Sequence, residues 1–187
     1  MREKLPEIYI ATDVEADGPI PGPFSMLALG MAVVGCQELR FYTELKPISD
    51  QFVPEALAVA GLDRDRLSRE APSPQEAMRT AGDWVNGLRH LGRPVFLAGP
   101  AVWDGMFVHW YFLRFLGRSP FGATGSGIDL RSYWMGMTGG EWAETRKGRI
   151  KHALGLAGLA HTHHAGGDAA ELAAVFQAML AARSRTP

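Results

Sequence analysis

The sequence predicts one α/β domain over residues 1–187, in which helices flank a mixed sheet. Residues 8–15 form a near-continuous apolar run that ends in two acids, which is typical of a central strand covered on both faces. Two further apolar runs, 25–34 and 39–45, follow on either side of a glycine-containing turn and predict a hairpin. Beyond Pro47, helical periodicities alternate with short strand-like runs, and the length fits one domain.

The second part of the chain carries a clear helix start. Ser73, Pro74 and Glu76 combine a capping serine, a proline at the first helical position and a glutamate three residues after the cap. No element is predicted for 139–151, which holds the densest basic run. The predicted elements are, in order, a helix over 54–60, a helix from Pro74 to about His90, a strand over 94–98, a helix over 101–116, a strand over 128–130, a helix through Tyr133 and Trp134, and a helix from Gly167 onward.

The charge balance is close to neutral, with 19 basic and 20 acidic residues and a formal net charge of −1. A broad basic footprint for nucleic acid is therefore excluded, although clustered acidic metal ligands would mask a local basic patch. The single cysteine, Cys36, rules out a disulfide within the chain and favours a cytoplasmic location. The first six residues lack the apolar core of a secretory signal, and no apolar run is long enough to span a membrane, so no membrane partner is expected.

Four acids are predicted to converge at one end of the sheet. Asp13 and Glu15 are two residues apart, so both side chains leave the same face of their strand, at its carboxyl end. Asp104 and Asp168 each lie four residues before an apolar position of a predicted helix, and therefore project from its inner face. Burying unpaired carboxylates together is costly, and Mg²⁺ or Mn²⁺, which prefer oxygen ligands, would remove that cost.

The order and spacing of these residues identify a family resemblance. Asp13-Val-Glu15, a middle Asp104 and His163-x-x-x-x-Asp168 resemble the three motifs of the DEDDh family of 3′–5′ exonucleases, which includes ribonuclease T, oligoribonuclease and proofreading subunits. The resemblance extends from residue 8 to about residue 180. It implies the ribonuclease H-like fold, an α/β architecture with a central five-stranded mixed sheet.

The resemblance also implies a mechanism. Two divalent metal ions, Mg²⁺ or Mn²⁺, about 4 Å apart would clamp the scissile phosphate. Asp13 would bridge both ions, while Glu15, Asp104 and Asp168 would complete their ligand shells. His163 would be the general base on the attacking water, because an imidazole gains and loses a proton near neutral pH. The product would be a nucleoside 5′-monophosphate released from the 3′ end of a single strand.

Three residues near the first two motifs are predicted to contact the substrate. Trp103 and Phe107 are candidates to stack on the terminal bases, because stacking on an aromatic ring tolerates any base. Packing of both rings in the core fits the sequence equally well. Val14, between the two acids of the first motif, is assigned to the substrate side as well.

Other roles remain open for several polar residues. His161, His163 and His164 suggest a zinc site, but no second Cys/His group accompanies them at structural-site spacing. Of these, His161 is expected at the surface and His164 is expected to face away from the catalytic residue. The basic run 146–151 is either a solvated surface or a contact to the phosphate backbone. Asp129 is interpreted as structural.

Alternatives also remain open for function. The sequence favours single-stranded RNA over DNA, because the compact chain shows no polymerase-binding tail. A catalytically silent nucleic-acid-binding module of the same fold is one alternative, and a hydrolase of small phosphodiesters is another. A homodimer is possible, as among many of these relatives. The complete set of Asp13, Glu15, Asp104, Asp168 and His163 argues for the enzyme.

Overall fold

A five-stranded mixed sheet forms the centre of the computed structural model, which describes residues 5–183. The strand order is β3-β2-β1-β4-β5, so β1 is the middle strand, as the apolar run at residues 8–15 predicts. β1 pairs antiparallel with β2 and parallel with β4, while β3 extends one side and β5 the other. The strands are β1 Glu7–Ala16, β2 Met26–Val33, β3 Cys36–Glu44, β4 Arg93–Ala98 and β5 Gly127–Asp129.

Helices cover both faces of this sheet. Ile10 and Val14 of β1 pack into the larger core, together with residues of α3 and α4. Ala11 of β1 packs on the other face, against residues of α7. The helices are α1 Pro54–Ala60, α2 Arg64–Glu70, α3 Pro74–Gly87, α4 Ala101–Leu116, α5 Leu130–Thr138, α6 Lys147–Ala153 and α7 Ala165–Arg183, with short 3₁₀ helices at Leu88–His90 and Trp142–Thr145. Within residues 5–183, no helix is both long and apolar enough to cross a membrane.

Gly30 determines how closely α7 approaches the sheet. It lies on β2 directly opposite Asp13 in the antiparallel register. A Cβ atom at Gly30 would stand 2.1 Å from the carbonyl oxygen of Ala165 and 2.5 Å from the amide nitrogen of Gly166. Only glycine leaves room for the first turn of α7 at this point, so that turn rests on the strand next to Asp13.

Most predicted elements are present, with shifted ends. The capping box at Ser73 forms, and α1 ends at Gly61, which adopts the left-handed conformation. β3 begins at Cys36, earlier than predicted, because Gly35 with φ of +80° completes the turn. The helix predicted to extend to about His90 ends at Gly87, and a 3₁₀ helix over Leu88–His90 follows it. Two seven-residue helices, α2 and α6, were not predicted.

Candidate metal centre

Three carboxylates from two elements meet where β1 ends and α7 begins. Asp13, Glu15 and Asp168 each offer an oxygen, and these oxygens all lie within 4.8 Å of one another. Glu15 is 9% exposed and Asp168 is 1% exposed, while Asp13 is half-buried. Because Asp13 and Glu15 share a strand face with Ala11, they point towards the side that α7 covers. The sequence prediction that these three acids converge agrees with this geometry.

Asp104 joins the group from the first turn of α4. Its side chain is buried, and its Oδ1 accepts a hydrogen bond of 3.2 Å from the backbone N–H of Val14. It is not among the three acids whose oxygens lie within 4.8 Å of one another. Nor is it the helix cap, since Pro100 occupies that position. Asp104 is therefore buried beside the first motif without a capping role.

The electrostatics of the cluster favour a bound cation. Burial raises the pKa of Asp13 to about 7, and the charge of Asp168 adds to that shift. Burial, together with the charges of Asp13 and Asp168, raises the pKa of Glu15 to about 8. The pKa of Asp104 lies well above its usual value because of burial and the nearby charge of Asp13. The charge of Lys147 partly offsets the shift at Asp13, yet the pKa of that carboxyl stays well above its usual value.

The two oxygens of Asp168 have different surroundings. Oδ1 accepts hydrogen bonds from the backbone N–H of Thr162 at 2.9 Å and from its hydroxyl at 3.2 Å. Oδ2 is buried and accepts no hydrogen bond from residues 5–183, although Nδ1 of His161 lies 3.0 Å away, at ion-pair distance for the protonated imidazole. A buried carboxylate oxygen without a hydrogen bond requires compensation, which a divalent cation provides. The donor set therefore fits a Mg²⁺-like or Mn²⁺-like ion.

The three histidines of the loop before α7 take three different positions. His163 has a left-handed backbone with φ of +51°, and ring nitrogens of His161 and His163 lie within 4.8 Å of each other and of a carboxylate oxygen of Asp168. His164 turns away, as predicted: its ring stacks on Tyr42 at 4.4 Å and its Nδ1 accepts the N–H of Gly167. That contact and the His164 carbonyl, which accepts the N–H of Asp168, start α7 at Ala165, two residues before the predicted Gly167.

A fifth acid and two lysines lie next to these residues and were missed in the sequence. Glu171 is buried on α7, and its two oxygens pair with Lys147 and Lys151 of α6. The basic run that held them had been interpreted as surface or as a backbone contact. The spacing of three between Asp168 and Glu171, and of four between the lysines, indicates shared helix faces. His161 is exposed as expected, yet its Nδ1 lies 3.4 Å from Glu171.

The predicted substrate contact of Phe107 is wrong. Its ring is fully buried in the core, so no face is free for a base. Trp103 is partly buried, with its ring centroid 5.2 Å from that of Phe107. Val14 is also buried, and its N–H is occupied by Asp104. Asp129 is structural, as predicted: it caps α5 and also accepts the N–H of Ala101.

Comparison with known proteins identifies nucleases that are similar to this chain. No protein-family model matches the chain. The chain is 36% identical over 145 residues to the 3′–5′ DNA exonuclease Cap18 of Escherichia coli, covering 77% of this chain and 76% of that protein. The fold is similar to the nuclease domain of 3′hExo, a DEDDh family member bound to rAMP, with a TM-score of 0.76, 16% identity and coverage of 94% and 92%. It is also similar to E. coli exonuclease I in complex with a dT13 oligonucleotide, with a TM-score of 0.64, 15% identity and coverage of 96% and 41%. The ribonuclease H-like fold expected from the resemblance is confirmed.

Proposed function

The chain belongs to the DEDDh family of 3′–5′ exonucleases, and we propose that it removes nucleoside 5′-monophosphates from the 3′ end of single-stranded DNA by a two-metal mechanism. One observation carries the proposal: oxygens of the half-buried Asp13 and of the buried Glu15 and Asp168 lie within 4.8 Å of one another, and burial and mutual repulsion in this group raise the pKa of Asp13 and Glu15. DNA is the first substrate to test because the 36% identical relative is named a DNA exonuclease. RNA, which the sequence alone favours, is the second.

Four carboxylates would hold the cations. Asp13, Glu15, Asp104 and Asp168 are the ligands, and two bound Mg²⁺ or Mn²⁺ ions would supply Lewis-acid stabilisation of the phosphate and of the leaving 3′-oxygen. The charge of Asp13 raises the pKa of both Glu15 and Asp104, so Asp13 is close to both of these ligands. The hydrogen bonds from Thr162 orient Asp168, so that Oδ2 remains free for a cation.

His163 would act as the general base. One of its imidazole nitrogens takes the proton of a water whose oxygen forms a bond to the scissile phosphorus. The P–O3′ bond breaks, the leaving oxygen takes a proton from solvent water and becomes the 3′-hydroxyl of the shortened strand, and the terminal nucleotide leaves as a 5′-monophosphate. The ring of His163 is exposed and has a nitrogen within 4.8 Å of an oxygen of Asp168, which suits a group that must meet both solvent water and the metal ligands.

The test is a shortening assay on matched oligonucleotides. A 5′-labelled single-stranded DNA and an RNA of the same sequence are incubated with protein and Mn²⁺, with EDTA in a parallel reaction. We expect a stepwise ladder that EDTA abolishes and that appears first with DNA. A circular strand should resist, because it has no 3′ end. If neither DNA nor RNA is shortened with Mg²⁺ or with Mn²⁺, the proposal is wrong, and a catalytically silent nucleic-acid-binding module is favoured.

The role of His163 is tested separately. We expect His163→Ala to lower the rate by roughly a hundredfold or more, the usual contribution of general-base catalysis, while Mn²⁺ affinity stays unchanged. His152→Ala is the matched control, because His152 is exposed and lies on α6. A His163→Ala variant with the rate of the control would transfer the role of base to another group. The possible homodimer is checked on the same preparations by light scattering.

A further inference from the structure

Glu171 lies next to the candidate metal ligands, and each of its two carboxylate oxygens accepts a hydrogen bond. It lies three residues after Asp168 on α7 and is 5% exposed. Lys147 Nζ donates to its Oε2 at 2.9 Å, and Lys151 Nζ donates to its Oε1. Burial acts to raise the pKa of Glu171, but the hydrogen bonds from the two lysines outweigh it and hold that pKa below its usual value. This acid is therefore an ionised anchor and not a fifth vacant ligand.

The anchor extends to the loop that carries the histidines. Lys151 Nζ donates a second hydrogen bond to the carbonyl oxygen of Leu159, within that loop. Nδ1 of His161 lies 3.4 Å from Oε2 of Glu171 and 3.2 Å from Nζ of Lys147. The ring of His161 meets that of His163 edge-on, with centroids 4.6 Å apart. Glu171 is thus connected to His163 through His161, and to the same loop at Leu159 through Lys151.

We propose that Glu171 is a positioning residue: by binding Lys147 and Lys151 it fixes the histidine loop against Asp168 and keeps the Lys147 ammonium away from the metal-binding carboxylates. The consequence for catalysis rests on the proposed function, whereas the consequence for cation binding does not.

The second part of this role follows from charge. Lys147 is close enough to Asp13 to lower its pKa, and it is 26% exposed. With Glu171 neutralised, the Lys147 ammonium loses this anion, and its charge already acts on the carboxylates of Asp13 and Asp104. An ammonium held by those carboxylates competes directly with a divalent cation. Loss of Glu171 should therefore weaken cation binding, although Glu171 is not itself a ligand.

The experiment compares Glu171→Gln with Glu144→Gln. Glu144 pairs with Arg149 of α6 in an ion pair whose side chains are 55% and 58% exposed, so it is a matched control outside the centre. Mn²⁺ affinity is measured without nucleic acid, from the electron paramagnetic resonance signal of the free ion. We expect Glu171→Gln to weaken binding roughly tenfold or more, the effect typical of residues that support metal ligands, and Glu144→Gln to have no effect. With oligonucleotide, kcat should fall while KM holds.

A double variant separates the effect of the Lys147 ammonium from the loss of the Glu171 carboxylate. Adding Lys147→Met to Glu171→Gln removes the competing cation, so Mn²⁺ affinity should recover towards the wild-type value. A double variant as weak as Glu171→Gln overturns this part of the proposal. Glu171→Gln that matches Glu144→Gln in both Mn²⁺ affinity and kcat overturns all of it.

Lys151→Met covers the case in which Glu171→Gln does not fold. It removes the bond to the Leu159 carbonyl but leaves Lys147 paired with Glu171, so we expect lower kcat with unchanged Mn²⁺ affinity. Wild-type kcat in this variant overturns the role of the loop contact. If the wild type binds Mn²⁺ but cleaves neither DNA nor RNA, the proposed function fails, and the Mn²⁺ measurements still decide the role of Glu171.

Discussion

Asp17 lies just after the end of β1, two residues beyond Glu15, but its surroundings differ from those of Asp13 and Glu15. Asp17 is fully buried, and it accepts the N–H of Ser25 at 2.5 Å and pairs with Arg64 at 2.9 Å. Within residues 5–183, Asp13 and Glu15 have no such partners, and burial raises the pKa of both. Arg64 and the N–H of Ser25 compensate the charge of Asp17, whereas the charges of Asp13 and Glu15 require a bound cation.

This difference separates structural from functional acids without reference to any relative. A buried carboxylate with an internal cation and a backbone donor is a fixed part of the fold. Buried carboxylates that repel each other reduce stability unless a ligand is bound, and perturbed groups of this kind concentrate at functional sites. Glu171 resembles Asp17 in having internal cations, since its two oxygens pair with lysines, although it lies one helical turn from Asp168. Removal of an acid that is paired within the chain should therefore lower stability, whereas removal of an acid that needs a cation should lower activity.

Asp13→Ala should produce the largest change, and in activity only. Removing the central ligand removes several kcal/mol of transition-state stabilisation, so the rate should fall by at least about a thousandfold. Thermal stability without metal should stay the same or rise, since one repelling carboxylate is gone. Oligonucleotide shortening and a melting curve check this. Glu38→Ala, at an exposed acid of β3, is the control, and near-native turnover by Asp13→Ala would mean that the ligand assignment is wrong.

Asp17→Ala should have the reverse effect. It leaves Arg64, only 15% exposed, and the N–H of Ser25 without their partner, so the free energy of unfolding should fall by about 3–5 kcal/mol. Urea unfolding measures the loss, and Mn²⁺ affinity of the remaining folded protein should be retained. Breaking the exposed pair with Glu144→Ala should cost below about 1 kcal/mol. If both variants lose the same small free energy of unfolding, the pairing of Asp17 with Arg64 stabilises the fold no more than an exposed ion pair does.

The same contrast explains what the sequence could reveal. The four unpaired acids were found because each follows a strand or projects from an inner helix face, which are local patterns. The pairing of Asp17 and Glu171 was missed because Arg64 lies on α2 and Lys147 on α6. Neither of these short helices has the first-turn proline and the glycine cap that identify α1, which is equally short. Pairing across elements is a property of the tertiary structure.

The aromatic residues show a second limit of the sequence. Phe107 and Trp103 both lie on α4 near Asp104, but only the fold buries Phe107 completely and leaves Trp103 in part accessible. Burial on a helix with a largely apolar sequence depends on which elements pack against each side. A pattern of apolar residues alone therefore cannot separate a base-stacking ring from a core ring.

Gly30→Ala tests whether the metal centre needs the close contact between α7 and the sheet. The added Cβ would stand 2.1 Å from backbone atoms of Ala165, which cannot yield as a flexible side chain would. We expect a loss of about 1–3 kcal/mol in the free energy of unfolding and weaker Mn²⁺ binding, because Asp168 moves with the helix. In α5, Gly136 has nothing within 4 Å of an added Cβ, so Gly136→Ala should be neutral or stabilising. Equal Mn²⁺ affinity in both variants would contradict the requirement.

The pH dependence of the metal-free protein reports directly on the unpaired acids Asp13 and Glu15. Burial and mutual repulsion raise the pKa of Asp13 to about 7 and of Glu15 to about 8, above their usual values of 3.8 and 4.5. The folded state therefore binds more protons than the unfolded state between these limits, and the free energy of unfolding should fall as pH rises from about 5 to about 8. Melting temperatures in EDTA should decline over that range, and Mn²⁺ should remove the decline, since a bound cation favours ionised ligands. Asp13→Ala should flatten the EDTA curve, whereas Glu38→Ala should leave it unchanged. A metal-free melting temperature that is constant from about pH 5 to about pH 8 would mean that Asp13 and Glu15 are compensated within the chain as Asp17 is, and the distinction between the two sets would fail.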